Sequence, residues 1–113
     1  MFLSKNSKSY FYLQAIALYP QNKEGYLKRS GLYKDLKQYD LAIADLERVI
    51  KLDSQNGQNY IFVGLIYYEL KDIPQTQKYF EQAAALFKEQ GQTELYNNAQ
   101  VVIQGLAEQQ QAE

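Results

Sequence analysis

The chain has 113 residues, 46% of them hydrophobic and 22% charged, enough for one domain or a short array of repeats with a modest core. Twelve basic and thirteen acidic side chains leave a formal charge of −1, which argues against a nucleic-acid binder, whose affinity comes mostly from excess Lys and Arg facing phosphates. There is no Cys and no His, which removes disulfide frameworks, thiolate catalysis, the usual zinc ligand set and imidazole acid–base chemistry.

In chain order, residues 7–19 read as a helix that is apolar on several sides, through Tyr10, Phe11, Tyr12, Leu13, Ile16, Leu18 and Tyr19. Pro20 closes it. Residues 26–36 place Tyr26, Tyr33 and Leu36 on one helical stripe, with tiny Ser30 between them. A break at Lys37-Gln38, short enough only for a tight helix–helix turn, leads to a second stripe of Tyr39, Ala42, Ile43, Leu46, Val49 and Ile50. The pattern then returns. Residues 60–70 carry Tyr60, Val63, Gly64, Tyr67 and Leu70, the break is Lys71-Asp72, and the second stripe is Ile73, Thr76, Phe80, Ala83 and Ala84. Asp72 suits an N-cap, with Pro74 in the first helical turn, where a missing N–H costs little. Gly91 ends that helix. Thr93–Ala107 is a last helix with an apolar stripe of Leu95 or Tyr96, Ala99, Val102 or Ile103, and Leu106, opposite the polar face Asn97, Asn98, Gln100, Gln104 and Glu108.

Residues 23–56 and 57–90 superpose with an offset of 34. Tyr26 meets Tyr60, Tyr33 meets Tyr67, Leu36-Lys37 meets Leu70-Lys71, Glu47 meets Glu81 and Leu52 meets Leu86. Ile16, Leu18, Gln21 and Asn22 stand one period before Ile50, Leu52, Gln55 and Asn56. Each period is a pair of antiparallel helices whose tiny residues, Ser30 or Gly64 and Ala42 or Thr76, sit where two helix axes approach closely. The expected organisation is a half repeat contributing only a second helix (7–22), two repeats (23–56 and 57–90), a capping helix (92–108) and a frayed tail (109–113). One apolar and one amide-rich face suits a cap, which shields the last layer of an array from water.

With aromatic, small and Tyr positions at Tyr26, Ser30 and Tyr33, followed by Ala42, Leu46 and Val49, and with Tyr60, Gly64, Tyr67, Thr76, Phe80 and Ala83 in the second copy, the chain resembles the tetratricopeptide repeat (TPR) family. Pro20 occupies the closing position of the half copy. Arg29 stands where that family has an apolar residue, and Ser54 and Lys88 replace the closing proline. The ending Ala-Ala-Leu-Phe-x-x-x-Gly before a Tyr-bearing helix is similar to the close of many bacterial members, those of photosynthetic bacteria in particular. The resemblance implies an all-α, right-handed superhelical array of helix pairs that binds other proteins in a concave groove, with no catalysis and no cofactor or metal. It also implies that the first helix of each pair lines the groove. Projected onto this chain, the partner-binding residues are Leu27, Lys28, Lys34, Gln58, Ile61, Phe62, Leu65 and Tyr68, beside Glu24, Gly31, Asp35 and Glu69.

The stretch QNYIFVGLIYYEL (58–70) is apolar nearly all round, the mark of a helix covered on all sides. Either neighbouring helices cover it, or an apolar groove awaits a partner's helix or extended segment, with Phe62 and Tyr68 as anchors. The carboxylate clamp of the family's chaperone cofactors needs several cations on successive first helices, and only Lys28 stands at one of those places. No glycine loop has phosphate geometry, and carboxylates such as Asp40 and Asp45 read as solvated. Ser30 reads as a packing residue rather than a nucleophile. An RNA-binding helical repeat would carry a basic groove, which is absent here.

At the other end, the apolar excess of Tyr10, Phe11 and Leu13 is explained by excision from a longer array or by a second copy of the chain, giving a homodimer. No apolar run approaches the roughly 20 residues that cross a bilayer, and Met1-Phe2-Leu3-Ser4-Lys5 does not read as a signal peptide. The expectation is a cytoplasmic, non-catalytic scaffold or adaptor that binds a protein or peptide and neither nucleic acid nor the membrane interior. The alternatives are a self-association module of a larger protein, or an assembly factor for a photosynthetic membrane complex.

Overall fold

A computed structural model describes residues 8–112; what was expected of residues 1–7 and of Glu113 lies outside the described residues. Six helices follow in order: α1 (Lys8–Leu18), α2 (Lys23–Asp35), α3 (Tyr39–Leu52), α4 (Gly57–Glu69), α5 (Ile73–Glu89) and α6 (Thr93–Ala112). The described residues hold no β-strand. They divide between Asp53 and Ser54 into two units of three helices each. In the first unit α2 packs on α1 and on α3; in the second α5 packs on α4 and on α6.

The same local devices build both units. Asn22 caps α2 by accepting from the Gly25 N–H, and Asn56 caps α4 by accepting from the Gln58 N–H. Each first helix ends in the same way. Lys37 and Lys71 adopt a left-handed φ of 60°, their N–H groups donate to the carbonyls of Lys34 and Tyr68, and the next N–H reaches back to Tyr33 or Tyr67. That is a Schellman close, and it fixes the angle at which the second helix departs. Gly91, at φ 72°, closes α5 with the same pair of bonds, from Gly91 to Lys88 and from Gln92 to Phe87. Here the residue suits the conformation, since glycine lacks the Cβ that makes φ > 0 costly. The repeats differ at the start of the second helix. Asp72 caps α5 by accepting from the Gln75 N–H, with Pro74 in the first turn, whereas Gln38 gives α3 no side-chain cap.

The interiors follow the stripes. Ala42, Ile43, Leu46 and Val49 are buried on α3; Thr76, Phe80, Ala83, Ala84 and Phe87 are buried on α5. Gly64 lies against the Phe80 ring so closely that a Cβ there would stand 2.8 Å from a ring carbon. The first repeat has a larger side chain on one helix and a smaller one on the other: Ser30 with its Cβ, and Leu46 in place of the ring. Both Ser30 and Leu46 are buried, and the Ser30 hydroxyl donates to the Leu27 carbonyl at 2.6 Å.

At the C-terminal end, α6 selects among the alternatives its sequence left open. Ala99 and Leu106 are buried, Tyr96 and Ile103 are half-buried, and Leu95 and Val102 are exposed. Its helix continues through Ala112. Gln109-Gln110-Gln111, expected as a frayed tail, is therefore helical; the tail has good helix formers and no Gly or Pro to stop it.

Gly64→Ala should lower stability by about 1 kcal/mol, because overpacking of about 1–3 kcal/mol exceeds a helix-propensity gain of about 0.5–1 kcal/mol. Adding Phe80→Leu, which restores the pairing of the first repeat, should recover much of the loss in thermal unfolding. A Gly64→Ala protein as stable as the parent would mean that the ring is free to move.

Candidate partner-binding site

The contact between first and second helix, which orients any binding face, is made by different chemistry in the two units. On α2, Arg29 sits between the rings of Tyr26 and Tyr33, its guanidinium carbon 6.0 and 5.5 Å from their centroids. It donates two hydrogen bonds to Asp45 on α3, at 2.8 and 2.7 Å. The expectation of a solvated Asp45 is thus corrected. The carboxylate is 5% exposed and held by a bidentate partner. That hydrogen bond raises the Arg29 pKa, against the opposing pull of burial. Arg48 adds a second guanidinium near the Tyr26 ring, at 5.9 Å.

In the second unit the positions equivalent to Arg29 and Asp45 are Val63 and Tyr79. Val63 is fully buried, and the Tyr79 ring packs between Tyr60 and Tyr67, with centroids 6.4 and 5.7 Å away. A phenol ring thus takes the place of the guanidinium between two tyrosines. The substitution occurs a second time. Lys23 pairs with Asp53 at 2.9 Å in the first unit, whereas the equivalent positions, Gly57 and Phe87, meet as backbone against ring. In both units the hydroxyl of the leading tyrosine donates to a carbonyl in the preceding turn, Tyr26 to Pro20 and Tyr60 to Ser54.

Of the expected groove residues, Lys28, Lys34, Leu65 and Tyr68 are exposed, while Leu27, Gln58, Ile61 and Phe62 are half-buried. The four from Phe62 to Tyr68 on α4 that matter most are not all covered: Leu65 is 45% and Tyr68 48% exposed. Helix α4 is therefore not shielded on every side, despite its apolar sequence. Two depressions flank it. At its N-terminal end Gln58 and Ile61 form one wall of a cleft of about 160 Å³, facing Leu95 and Val102 of α6 across a floor that includes the buried Phe80 and Phe87. Ala99 and Asn98 of α6 complete it. At its C-terminal end Tyr68 and Glu69 border a wider hollow of about 360 Å³ with Lys71, Ile73 and Gln109.

The contribution of Leu95, Asn98 and Val102 was not singled out from sequence. Its only trace there is that α6 carries two adjacent apolar residues per turn, one more than a single inward stripe requires. On α1, Phe11 is 62% exposed, Leu13 is exposed and Tyr10 is half-buried, its ring edge-on to Phe11. Among the described residues no group of three or more acidic side chains converges as metal ligands do, and no helix is long and apolar enough to cross a membrane.

Residues 24–56 match the family model described as tetratricopeptide repeat. The chain is a tetratricopeptide-repeat protein. No curated protein matches its sequence. Among solved structures, this TPR protein is similar in fold to the type III secretion translocator chaperone SycD of Yersinia enterocolitica, with a TM-score of 0.80 at 12% identity over 91% of this chain and 72% of that one. It is similar to the TPR2B domain of yeast Sti1, solved in complex with pHsp70, with a TM-score of 0.76 at 19% identity over 89% and 81%. PcrH, solved in complex with the chaperone binding region of PopD, gives a TM-score of 0.80 at 14% identity over 90% and 77%. TPR helix pairs thus account for nearly the whole chain.

Removing Arg29 alone, as Arg29→Val, should destabilise by roughly 3 kcal/mol, since it leaves Asp45 buried without a partner. The double change Arg29→Val with Asp45→Tyr, which copies the second unit, should restore most of that loss in a denaturant titration. Equal losses in the single and double variants would show that the two solutions are not interchangeable.

Proposed function

We propose that this TPR protein is a non-catalytic adaptor that binds a segment of a partner protein on the open faces of its first helices. The observation that carries this reading is the uncovered apolar surface of α4, where Leu65 and Tyr68 remain nearly half exposed on a helix with no charged residue before Glu69. Apolar side chains left open in this way on a rigid helix are the usual anchors of peptide recognition. The fold likeness to PcrH and to the Sti1 domain, both solved with a segment or protein bound, supports the same reading. On α2 the face is charged instead: Lys28 and Lys34 flank half-buried Leu27. The binding residues are Leu27, Lys28 and Lys34 on α2, and Gln58, Ile61, Phe62, Leu65 and Tyr68 on α4, with Phe62 and Tyr68 as the main anchors.

A photo-crosslinking residue placed at Tyr68 should capture a discrete partner in cells. Against that partner, Tyr68→Ala should cost about 2 kcal/mol of binding, roughly 30-fold in Kd, with little change in thermal stability. Phe62→Ala should weaken binding by a similar amount. A fall in stability with binding intact would make these residues core rather than anchors.

A second reading has its own observation. Phe11, Leu18 and Tyr19 on and just after α1 are each more than 60% exposed, and a second copy of the chain meeting through Tyr10, Phe11 and Leu13 would cover that surface. Light scattering should then give twice the 13.1 kDa chain mass, with Phe11→Glu returning the protein to a monomer. A monomer throughout the concentration range removes this reading.

A further inference from the structure

We infer that the cleft between α4 and α6 is an anchor subsite, taking one bulky apolar side chain from an extended, locally uncharged segment of the partner. This deepens the partner-binding reading and rests on it. Three features of the cleft select that occupant. Its volume of about 160 Å³ falls below the roughly 300–1,000 Å³ of sites that enclose a whole small molecule, and it suits a single side chain. Its depth is aromatic and aliphatic, with Phe80 and Phe87 below and Ile61, Leu95 and Val102 at the sides. No ionisable group lines it in a chain that is 22% charged, so a charged side chain entering it would lose its hydration with nothing in return.

The third feature concerns the backbone of the occupant. Gln58 on α4 and Asn98 on α6 border the cleft, and their side-chain amides hydrogen-bond to no described residue. Each amide offers both donors and an acceptor. A helical ligand has its own N–H and C=O groups already joined and gives these amides nothing to bind. An extended segment leaves both kinds of group open along its length. Two amides on the facing helices of one apolar slot therefore favour an extended strand of chain whose anchor side chain points down between them. The geometry comes from α6: its inward stripe of Tyr96, Ala99, Ile103 and Leu106 holds it on α5 and turns Leu95, Asn98 and Val102 toward α4.

Selection of a random twelve-residue peptide library on the immobilised full chain, followed by fluorescence anisotropy with the selected peptides, tests this. The selected peptides should share one Leu, Ile, Met or Phe in fixed register with uncharged neighbours. They should tolerate a proline beside that position, and lose binding when the anchor becomes Ala. Val102→Glu should weaken them about tenfold or more, and Gln58→Ala and Asn98→Ala severalfold each. Leu95→Glu, on the same wall and also exposed, provides a second variant if Val102→Glu shifts the thermal midpoint. Selected peptides that keep their affinity in both Glu variants would overturn the subsite and leave partner binding elsewhere on the TPR intact. Peptides with a charged residue at the shared position, or ones that bind only as helices, would also overturn it, as would a library that yields no binder. The photo-crosslink at Tyr68 reports on the broader reading independently of all these outcomes.

Discussion

Each repeat depends on how closely its first helix can approach its second. The axes meet at a tiny residue, Ser30 or Gly64, and the side chains around that point must fill the remaining space without leaving a polar group stranded. The two units satisfy this constraint with different chemistry on the same backbone. In the first, two cation–carboxylate pairs join the helices, Arg29 with Asp45 and Lys23 with Asp53. In the second, the equivalent places hold the rings of Tyr79 and Phe87. The flanking tyrosines accept either, since the face of a phenol ring attracts a guanidinium and stacks on another ring.

The consequence is an uneven distribution of apolar packing. Helix α2 buries only Gly25 and Ser30, while α4 buries Gly57, Asn59, Val63, Gly64 and Ile66. A hydrogen-bonded ion pair is directional and fixes orientation, but the desolvation of its charges offsets much of its attraction. Ring packing contributes through area removed from water and carries no such penalty. The second unit adds α6, whose inward stripe extends the cluster of Ala83, Ala84 and Phe87. In a repeat protein such a terminal helix closes the last layer. Here it also supplies the far wall of the cleft beside α4, so one element serves both stability and the proposed recognition.

Much of this was legible in the sequence. The 34-residue period, the helix-pair unit, the capping role of Asp72 and the tiny residues at the crossing all follow from local rules: helical spacing, turn chemistry and steric size. The faces were harder to read. Arg29 looked like a departure from an apolar position, and Asp45 like a solvated carboxylate, because neither is a neighbour of the other along the chain. Only the packing of α3 on α2 brings their charges within 3 Å. Likewise Leu95 and Tyr96, or Val102 and Ile103, are equivalent by spacing, and the contact with α5 alone decides which of each pair turns inward.

The sequence by itself determined the period, the helices and their pairing, because those depend on interactions between residues a few positions apart. The tertiary structure decided which apolar residues stay open on α4 and α6 and which charges are buried. Exposure is set by what a neighbouring helix covers, and that neighbour lies 16 or more residues away in the chain.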